Sequence, residues 1–268
     1  GWRIPKQLFR YRKHGASLSV TDEPRHDYLK SDLILHHAHL YSKSQVRWAR
    51  GVKAGCEWLH PTKISRARSA ASLVSVIVPT YNRPEMLVKA LESILAQTYR
   101  NFEIIVVNDA GMDVSDAIKR LNADGRITLI TKTVNQGLAD SRNVGIAAAS
   151  GKYIAYLDDD DLYYPDHLET LVGFLDNSEY HVAYADAMRA HQRKSPDGSY
   201  EVWHRDQPYS RDFDYDLILT ANFSPVQCYI HEKSCHDTVG LFDTALSSHE
   251  DWDFWLRLSR EYDCIHLK

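Results

Sequence analysis

The apolar and aromatic run Gly151-Lys152-Tyr153-Ile154-Ala155-Tyr156-Leu157 leads directly into four consecutive aspartates, Asp158–Asp161, with Pro165 shortly after. The run reads as a buried strand, and the proline suits the first turn of a helix. Adjacent carboxylates repel one another, so no fold gains stability from such a cluster without a counter-charge. A strand is therefore delivering several carboxylates to the end of a sheet, where Mg²⁺ or Mn²⁺ prefer oxygen ligands. The plainer reading is a solvated acidic turn. A calcium loop of the EF-hand kind is excluded by counting from Asp158: Tyr163 falls where the sharp turn demands glycine.

Upstream, strand and helix patterns alternate. Val74–Val78 is a strand, and Pro79-Thr80-Tyr81-Asn82-Arg83-Pro84 is a turn that launches a helix. Met86, Leu87, Ala90, Leu91, Ile94 and Leu95 then recur at helical spacing. Glu103–Val107 reads as a second strand ending at Asn108-Asp109, Asp113–Leu121 as a short helix, and Ile127–Thr131 as a third strand. Asn135–Ser150 holds a helix flanked by Gly137 and Gly151. This alternation implies a mostly parallel α/β sheet with right-handed crossovers and helices on both faces. Ligands of such sheets bind beyond the carboxyl ends of the strands, so Tyr81, Asp109 and Asp158–Asp161 are expected to converge. The turn after the first strand has no glycine, and no G-x-x-x-x-G-K-[ST] occurs. A pyrophosphate bound here would need a metal rather than a glycine-rich nest.

After Asp176 the reading is coarser. His181–Asp186 and Ser199–Trp203 alternate as strands around the turn Ser195-Pro196-Asp197-Gly198, predicting a hairpin. Asp212–Thr220 reads as a helix and Val226–His231 as a strand. Trp252, Trp255 and Leu256 share a helical face, and Glu250 and Asp251 at that helix's start are favoured by its dipole, so capping alone could explain either.

Residues 1–72 carry 14 Lys/Arg against 5 Asp/Glu, and the remainder 18 against 31. The basic segment is expected to meet an acidic surface: its own acidic neighbour, an anionic membrane or a further domain. It carries no nucleic-acid-binding motif, and nucleic acid is not an expected partner. Within it, Asp32–Trp48 has helical character, His36, His37 and His39 cluster, and Ser65–Ser72 reads as a linker. The cysteines Cys56, Cys228, Cys235 and Cys264 show no metal or disulfide spacing. No apolar run approaches the roughly 18–20 residues that span a bilayer. The expected location is the cytoplasm, with peripheral contact to the inner face of a membrane.

The motifs resemble, in order, those of family 2 glycosyltransferases: Ser75–Arg83, Ile104–Asp109, Asn135-Gln136-Gly137, Ser141-Arg142-Asn143-Val144-Gly145, Leu157–Asp161 with Pro165, and Glu250-Asp251-Trp252. The resemblance covers about residues 73–268 and implies a GT-A fold, with 73–176 binding a nucleotide-diphospho-sugar such as a UDP-sugar and 177–268 facing a saccharide or glycan acceptor. It places Pro79, Thr80, Tyr81, Asn82, Arg83, Asn108, Asp109, Asn135, Gly137, Arg142, Asp158 and Asp159 at the donor. It also implies Mn²⁺ or Mg²⁺ on Asp160 and Asp158, and inverting transfer with Asp251 as general base and Glu250 the next candidate. Asn108-Asp109-Ala110-Gly111 departs from the family's usual Asp-Asp-Gly-Ser, leaving the base preference open. The basic stretch Phe9–Ser17 resembles a tail found after the Glu-Asp helix of this family, which suggests a piece of a tandem polypeptide. The competing reading is a non-catalytic nucleotide- or sugar-binding or scaffold module of a larger polysaccharide synthase. A nucleotidyltransferase would need a glycine-rich loop that the first strand lacks.

Overall fold

The computed structural model describes residues 71–122, 124–194 and 200–268. The chain divides into two compact units, Gly1–Arg66 and Ala67–Lys268, and all described residues belong to the second. The expected helix at Asp32–Trp48, the histidines His36, His37 and His39, and the basic segment's partner lie outside the described residues.

Four strands and four helices alternate first: β1 (Val74–Thr80), α1 (Pro84–Leu95), β2 (Phe102–Asn108), α2 (Ser115–Leu121), β3 (Ile127–Thr131), α3 (Leu138–Ala148), β4 (Tyr153–Tyr156) and α4 (His167–Leu175). Every residue of β1 is buried, as a parallel strand covered on both faces requires. Its side chains divide between two cores. Val74, Val76 and Val78 pack with Leu87 and Leu91 of α1 and Leu168 of α4. Ile77 faces the other way, toward Ala139 and Ile146 of α3. Pro84 occupies the first turn of α1, where its missing N–H costs nothing.

The chain continues through β5 (Val182–Ala185), β6 (Ala187–Lys194), β7 (Tyr200–Tyr209), α5 (Tyr215–Ile218), β8 (Tyr229–Glu232), α6 (Cys235–Val239), α7 (Glu250–Glu261) and β9 (Cys264–Leu267). The main sheet has the order β3-β2-β1-β4-β8-β5-β9. All its strands run the same way except β8, which is antiparallel to both neighbours. This is the mostly parallel α/β architecture of the GT-A fold. Successive strands travel outward from β1 through β2 to β3, and β4 then returns to the other side of β1. A crevice therefore opens between the carboxyl ends of β1 and β4.

Several expectations change after Asp176. The expected strand at His181–Asp186 does exist, but it is β5 and sits inside the main sheet. Tyr200–Tyr209 pairs instead with Ala187–Lys194. β5 and β6 are separated only by Asp186, with no glycine or proline to mark a break, so local pattern could not choose which of the two pairs with Tyr200–Tyr209. Asp212–Thr220 shortens to α5, where Asp214 caps the helix by accepting from the Leu217 N–H. Val226–Cys228 forms a 3-10 turn before β8 begins. The strand β9 was not anticipated at all. At the other end, the expected linker does not extend to its last residues: Ser72 Oγ donates to Asp176 Oδ1 at 2.6 Å and Asn101 Nδ2 donates to the Ala71 carbonyl at 2.6 Å. Cys228, Cys235 and Cys264 are all buried. No described helix is long and apolar enough to cross a membrane.

Candidate active site at the carboxyl edge of the sheet

A cavity of about 430 Å³ lies at the crevice between β1 and β4. Its walls are Pro79 and Thr80 at the end of β1, Tyr81 and Arg83 just after it, Asp109 after β2, Asn135, Gly137, Leu138 and Ser141 around the start of α3, and Asp158, Asp159 and Asp160 after β4. Residues as far apart in sequence as Pro79 and Asp160 meet here because parallel strands end at one edge. Asp159 is buried, accepting from Thr80 Oγ1 at 2.7 Å and from Arg83 Nη1 at 3.2 Å. The same Arg83 nitrogen reaches Asp160 Oδ2 at 2.7 Å. Burial pushes the Asp159 carboxyl above its ordinary value; Thr80 and Arg83 oppose that only partly, and Asp160 adds to it. Asp161 turns away and accepts from Gln227 Nε2 at 2.6 Å. Burial and the charges of Asp158, Asp160 and Asp159 push it up to about 7. Arg83 thus supplies one part of the counter-charge the cluster demands.

Asp109 serves as a fixed post. Its oxygens accept from the Gln136 and Gly137 N–H groups at 3.0 and 2.8 Å and pair with Lys132 Nζ at 2.6 Å. Burial alone would raise its pKa, but the Lys132 ammonium and the two backbone donors outweigh that and hold it below its ordinary value. Gly137 has φ 91°, a conformation that favours glycine and turns the chain into α3. Asn108 and Asn82 are placed differently from the donor contacts expected of them. The Asn108 amide donates to the Met112 carbonyl and accepts from the Gly111 N–H, while Asn82 Oδ1 accepts from the Met112 N–H. Both asparagines are spent on the turn after β2, and neither lines the cavity. A Cβ on Gly111 would come within 2.8 Å of the Asn82 nitrogen, which explains the glycine.

Arg142 also departs from its expected place beside a nucleotide. It is only 1% exposed and bridges two carboxylates, reaching Asp158 Oδ1 at 2.8 Å and Glu250 Oε1 at 2.7 Å. Asp251, the second residue of α7, accepts from Asn222 Nδ2 at 3.1 Å and from the Trp252 N–H at 2.8 Å. The helix dipole was expected to keep Asp251 ionised. Burial instead dominates and raises its pKa, opposed by Arg142, the Trp252 N–H and Asn222 and reinforced by Glu250. A second cavity of about 240 Å³ adjoins the first through Gly137 and Leu138, and Thr244–Ser247 and Glu250 complete it.

The sequence pattern described as Glycosyl transferase family 2 matches residues 75–237. The chain belongs to this family. It is 32% identical over 189 residues to YwdF of Bacillus subtilis strain 168, an uncharacterized glycosyltransferase, covering 70% of this chain and 69% of that one. TarS residues 1–349 of S. aureus, in crystal form, superpose with a TM-score of 0.60 at 22% identity, over 72% of this chain and 57% of TarS 1–349. Its structures include complexes with UDP and with UDP-GlcNAc. The mannosyltransferase PcManGT of Pyrobaculum calidifontis, in complex with GDP-Man and Mn²⁺, gives 0.55 at 18% identity over 91% of this chain and 66% of its own. At such identities the likeness shows the fold. This chain thus spans little more than half of the TarS fragment.

The family motifs account for the cavity's walls, yet several supporting residues escaped them. Lys132, just past β3, pairs with both Asp109 and Asp140 at 2.6 Å; its place after a strand end was the one available signal. Asn222 lies in irregular chain and Gln227 in the 3-10 turn before β8, and only tertiary contact gives them their roles. Among the described residues, no group of three or more His, Cys, Asp or Glu is arranged to hold a metal by itself. Asp158 and Asp160 each have one carboxylate oxygen engaged by an arginine. Two hard oxygen donors suit Mg²⁺ or Mn²⁺ in sites where substrate phosphates complete the shell.

Proposed function

We propose that this chain is a metal-dependent, inverting glycosyltransferase that moves a sugar from a nucleotide-diphospho-sugar, a UDP-sugar by preference, to a hydroxyl of a saccharide acceptor in polysaccharide or glycan assembly. The observation that carries this reading is the convergence, in a family 2 member, of Thr80, Tyr81, Asp109 and Asp158–Asp160 on one cavity at the switch point of the sheet. Its structural neighbours hold UDP, UDP-GlcNAc and GDP-Man, which supports such a donor.

In this reading, the half of the domain up to residue 176 holds the donor and the rest faces the acceptor. Tyr81, 48% exposed at the cavity mouth, offers its ring to the nucleoside. Asp109 orders the backbone of Gln136 and Gly137 around it, and Asp159 is locked by Thr80. Asp158 and Asp160 would hold Mn²⁺ or Mg²⁺, which supplies Lewis-acid neutralisation of the diphosphate leaving group when bound. The acceptor oxygen attacks the anomeric carbon as the bond to the diphosphate oxygen breaks. Asp251 takes the hydroxyl proton as the new bond forms, and the nucleoside diphosphate leaves with the electron pair.

The test is Asp251→Asn. Asparagine keeps an acceptor oxygen for the Trp252 N–H and gives up the Asn222 contact on the other oxygen, so a purely structural residue would tolerate it with little loss of turnover. A base would not, and transfer should fall by at least about 10²-fold with donor affinity unchanged. Retained turnover moves the base elsewhere, with Glu250 next. A wild-type protein that binds nucleotide sugar without transferring or hydrolysing it supports the alternative, a non-catalytic module of a larger synthase.

A further inference from the structure

We propose that Arg142 is a positioning residue, which ties the Asp158 end of β4 to the first turn of α7 and so sets where Asp251 stands relative to the donor cavity. The proposal rests on the reading of Asp251 as base given above. Arg142 is fully enclosed and borders neither cavity. Its two terminal nitrogens each take one carboxylate, Asp158 at 2.8 Å and Glu250 at 2.7 Å, residues 16 and 108 positions away in sequence. A planar guanidinium holding two carboxylates on separate nitrogens fixes their separation, which a flexible ammonium does not.

The start of α7 is also held by Asn222 Nδ2, which donates to Asp251 Oδ2 at 3.1 Å, and by Trp252 Nε1, which donates to the Ile218 carbonyl at 2.6 Å; the Arg142 bridge is what ties it to the end of β4. His249 before it adopts a left-handed conformation with φ 63° and its side chain accepts no capping hydrogen bond, and residues 243–249 are exposed. The next residue of α3 grips the far end of that exposed segment. Asn143 donates to the Phe242 carbonyl at 2.8 Å and accepts from the Phe242 N–H at 2.9 Å. The Arg142 guanidinium also lies over the Phe242 ring at 5.5 Å. Consecutive residues of one helix therefore hold both ends of the segment Phe242–Glu250, whose middle borders the second cavity. The Ser141-Arg142-Asn143 motif is in this view a clamp between the donor side and the helix that carries the base.

A double-mutant cycle tests this. Arg142→Lys and Glu250→Gln should each lower kcat by about 10- to 100-fold, the usual cost of removing a supporting contact. Glu250→Gln should leave donor KM within about threefold. Because both act through one bridge, the double variant should be little worse than either single one. Additive losses in kcat, or a donor KM that rises as much as kcat falls in Glu250→Gln, would overturn the clamp and put Glu250 on the sugar itself. If Arg142→Lys fails to fold, hydrogen exchange in the Glu250→Gln variant decides the clamp by itself. Amide hydrogen exchange gives a readout independent of turnover. In the Glu250→Gln variant, exchange over 250–254 should quicken at least about 10-fold while β1 and β2 stay unchanged. Unchanged protection at that turn also overturns the proposal. Absence of turnover in the wild type would count against the enzymatic reading alone, leaving the exchange result to decide the clamp.

Discussion

At Arg83 one side chain serves two aspartates, Asp159 at 3.2 Å and Asp160 at 2.7 Å. The arginine is about half exposed, and so is Asp160. An exposed pair of this kind contributes about 0–1 kcal/mol, because solvent screens it and two long side chains must be ordered. Removing Asp160 also relieves its repulsion with Asp159 and Asp161. Asp160→Ala should therefore leave the melting temperature within about 4 °C of wild type without metal. Its effect should instead appear in calorimetric binding of UDP with Mn²⁺, as a loss of about 10-fold or more. Equal affinities with and without the Asp160 carboxylate would leave Asp158 as the metal's ligand and remove Asp160 from the site.

The element that joins these residues is α3. Its buried side is made of small or polar residues, Ala139, Ser141, Arg142 and Gly145, with Ile146 the one large apolar side chain among them. Small residues let the helix lie close on β1, bringing Arg142 down to the level of the strand ends. Gly145 sets that distance, since a Cβ there would collide with Ile77 Cγ2 and press on its Cγ1 and Cβ at 3.2 and 3.3 Å. Alanine in a helix is favoured over glycine by about 1 kcal/mol, while overpacking a filled core costs about 1–3 kcal/mol. Ile77 is wholly buried and has nowhere to yield, so the second effect should win. Gly145→Ala is expected to lower stability in urea by about 1–2 kcal/mol. Adding Ile77→Ala should cost less in that background than in the wild type, because the collision is already gone. A Gly145→Ala protein as stable as wild type would show that α3 can lift from the sheet.

For the whole molecule, pH acts through buried groups of opposite sign. Burial pushes His167 down to about 4 and His231 down to about 3, the latter helped by His236. Above the unfolded histidine value of about 6.5, both states are neutral and nothing changes. Between there and about 4 the unfolded chain binds protons that the folded chain refuses, so stability falls as pH falls. Asp161 does the reverse. With its folded value near 7 and its unfolded value near 4, the folded state binds the extra proton and stability rises on acidification across that window. The two effects partly cancel in the wild type, and variants separate them. His167→Phe keeps the stack on Tyr163 and removes a buried Nε2 without a partner. Its melting temperature relative to wild type should climb as pH drops from 6.5 to 4. Asp161→Asn should show its advantage at pH 8 and lose it toward pH 4. A constant offset for either variant across this range would mean that the group titrates in the folded state as it does in the unfolded chain.

How the chain's parts were legible follows from the range of the forces involved. Local pattern sufficed for β1 to β4 and the helices between them, because a parallel strand buried on both faces is continuously apolar and its helices carry their own stripes and breaks. The same logic placed Tyr81, Asp109 and Asp158–Asp160 together, since residues after parallel strands share one edge whatever their separation in sequence. Beyond Asp176 the pattern lost its hold. β8 runs antiparallel and β9 joins from the chain's last residues, and their places depend on neighbours that no local window contains. The same limit applies within the site. That Asn108 and Asn82 turn inward to a loop, that Asn222 holds Asp251, and that Arg142 spans Asp158 and Glu250 are decided by hydrogen-bonding groups meeting across the fold. The residue types set which chemistry could be done at this edge; the packing of α3 and α7 against it decided which side chains are left facing the cavity and which are buried as supports.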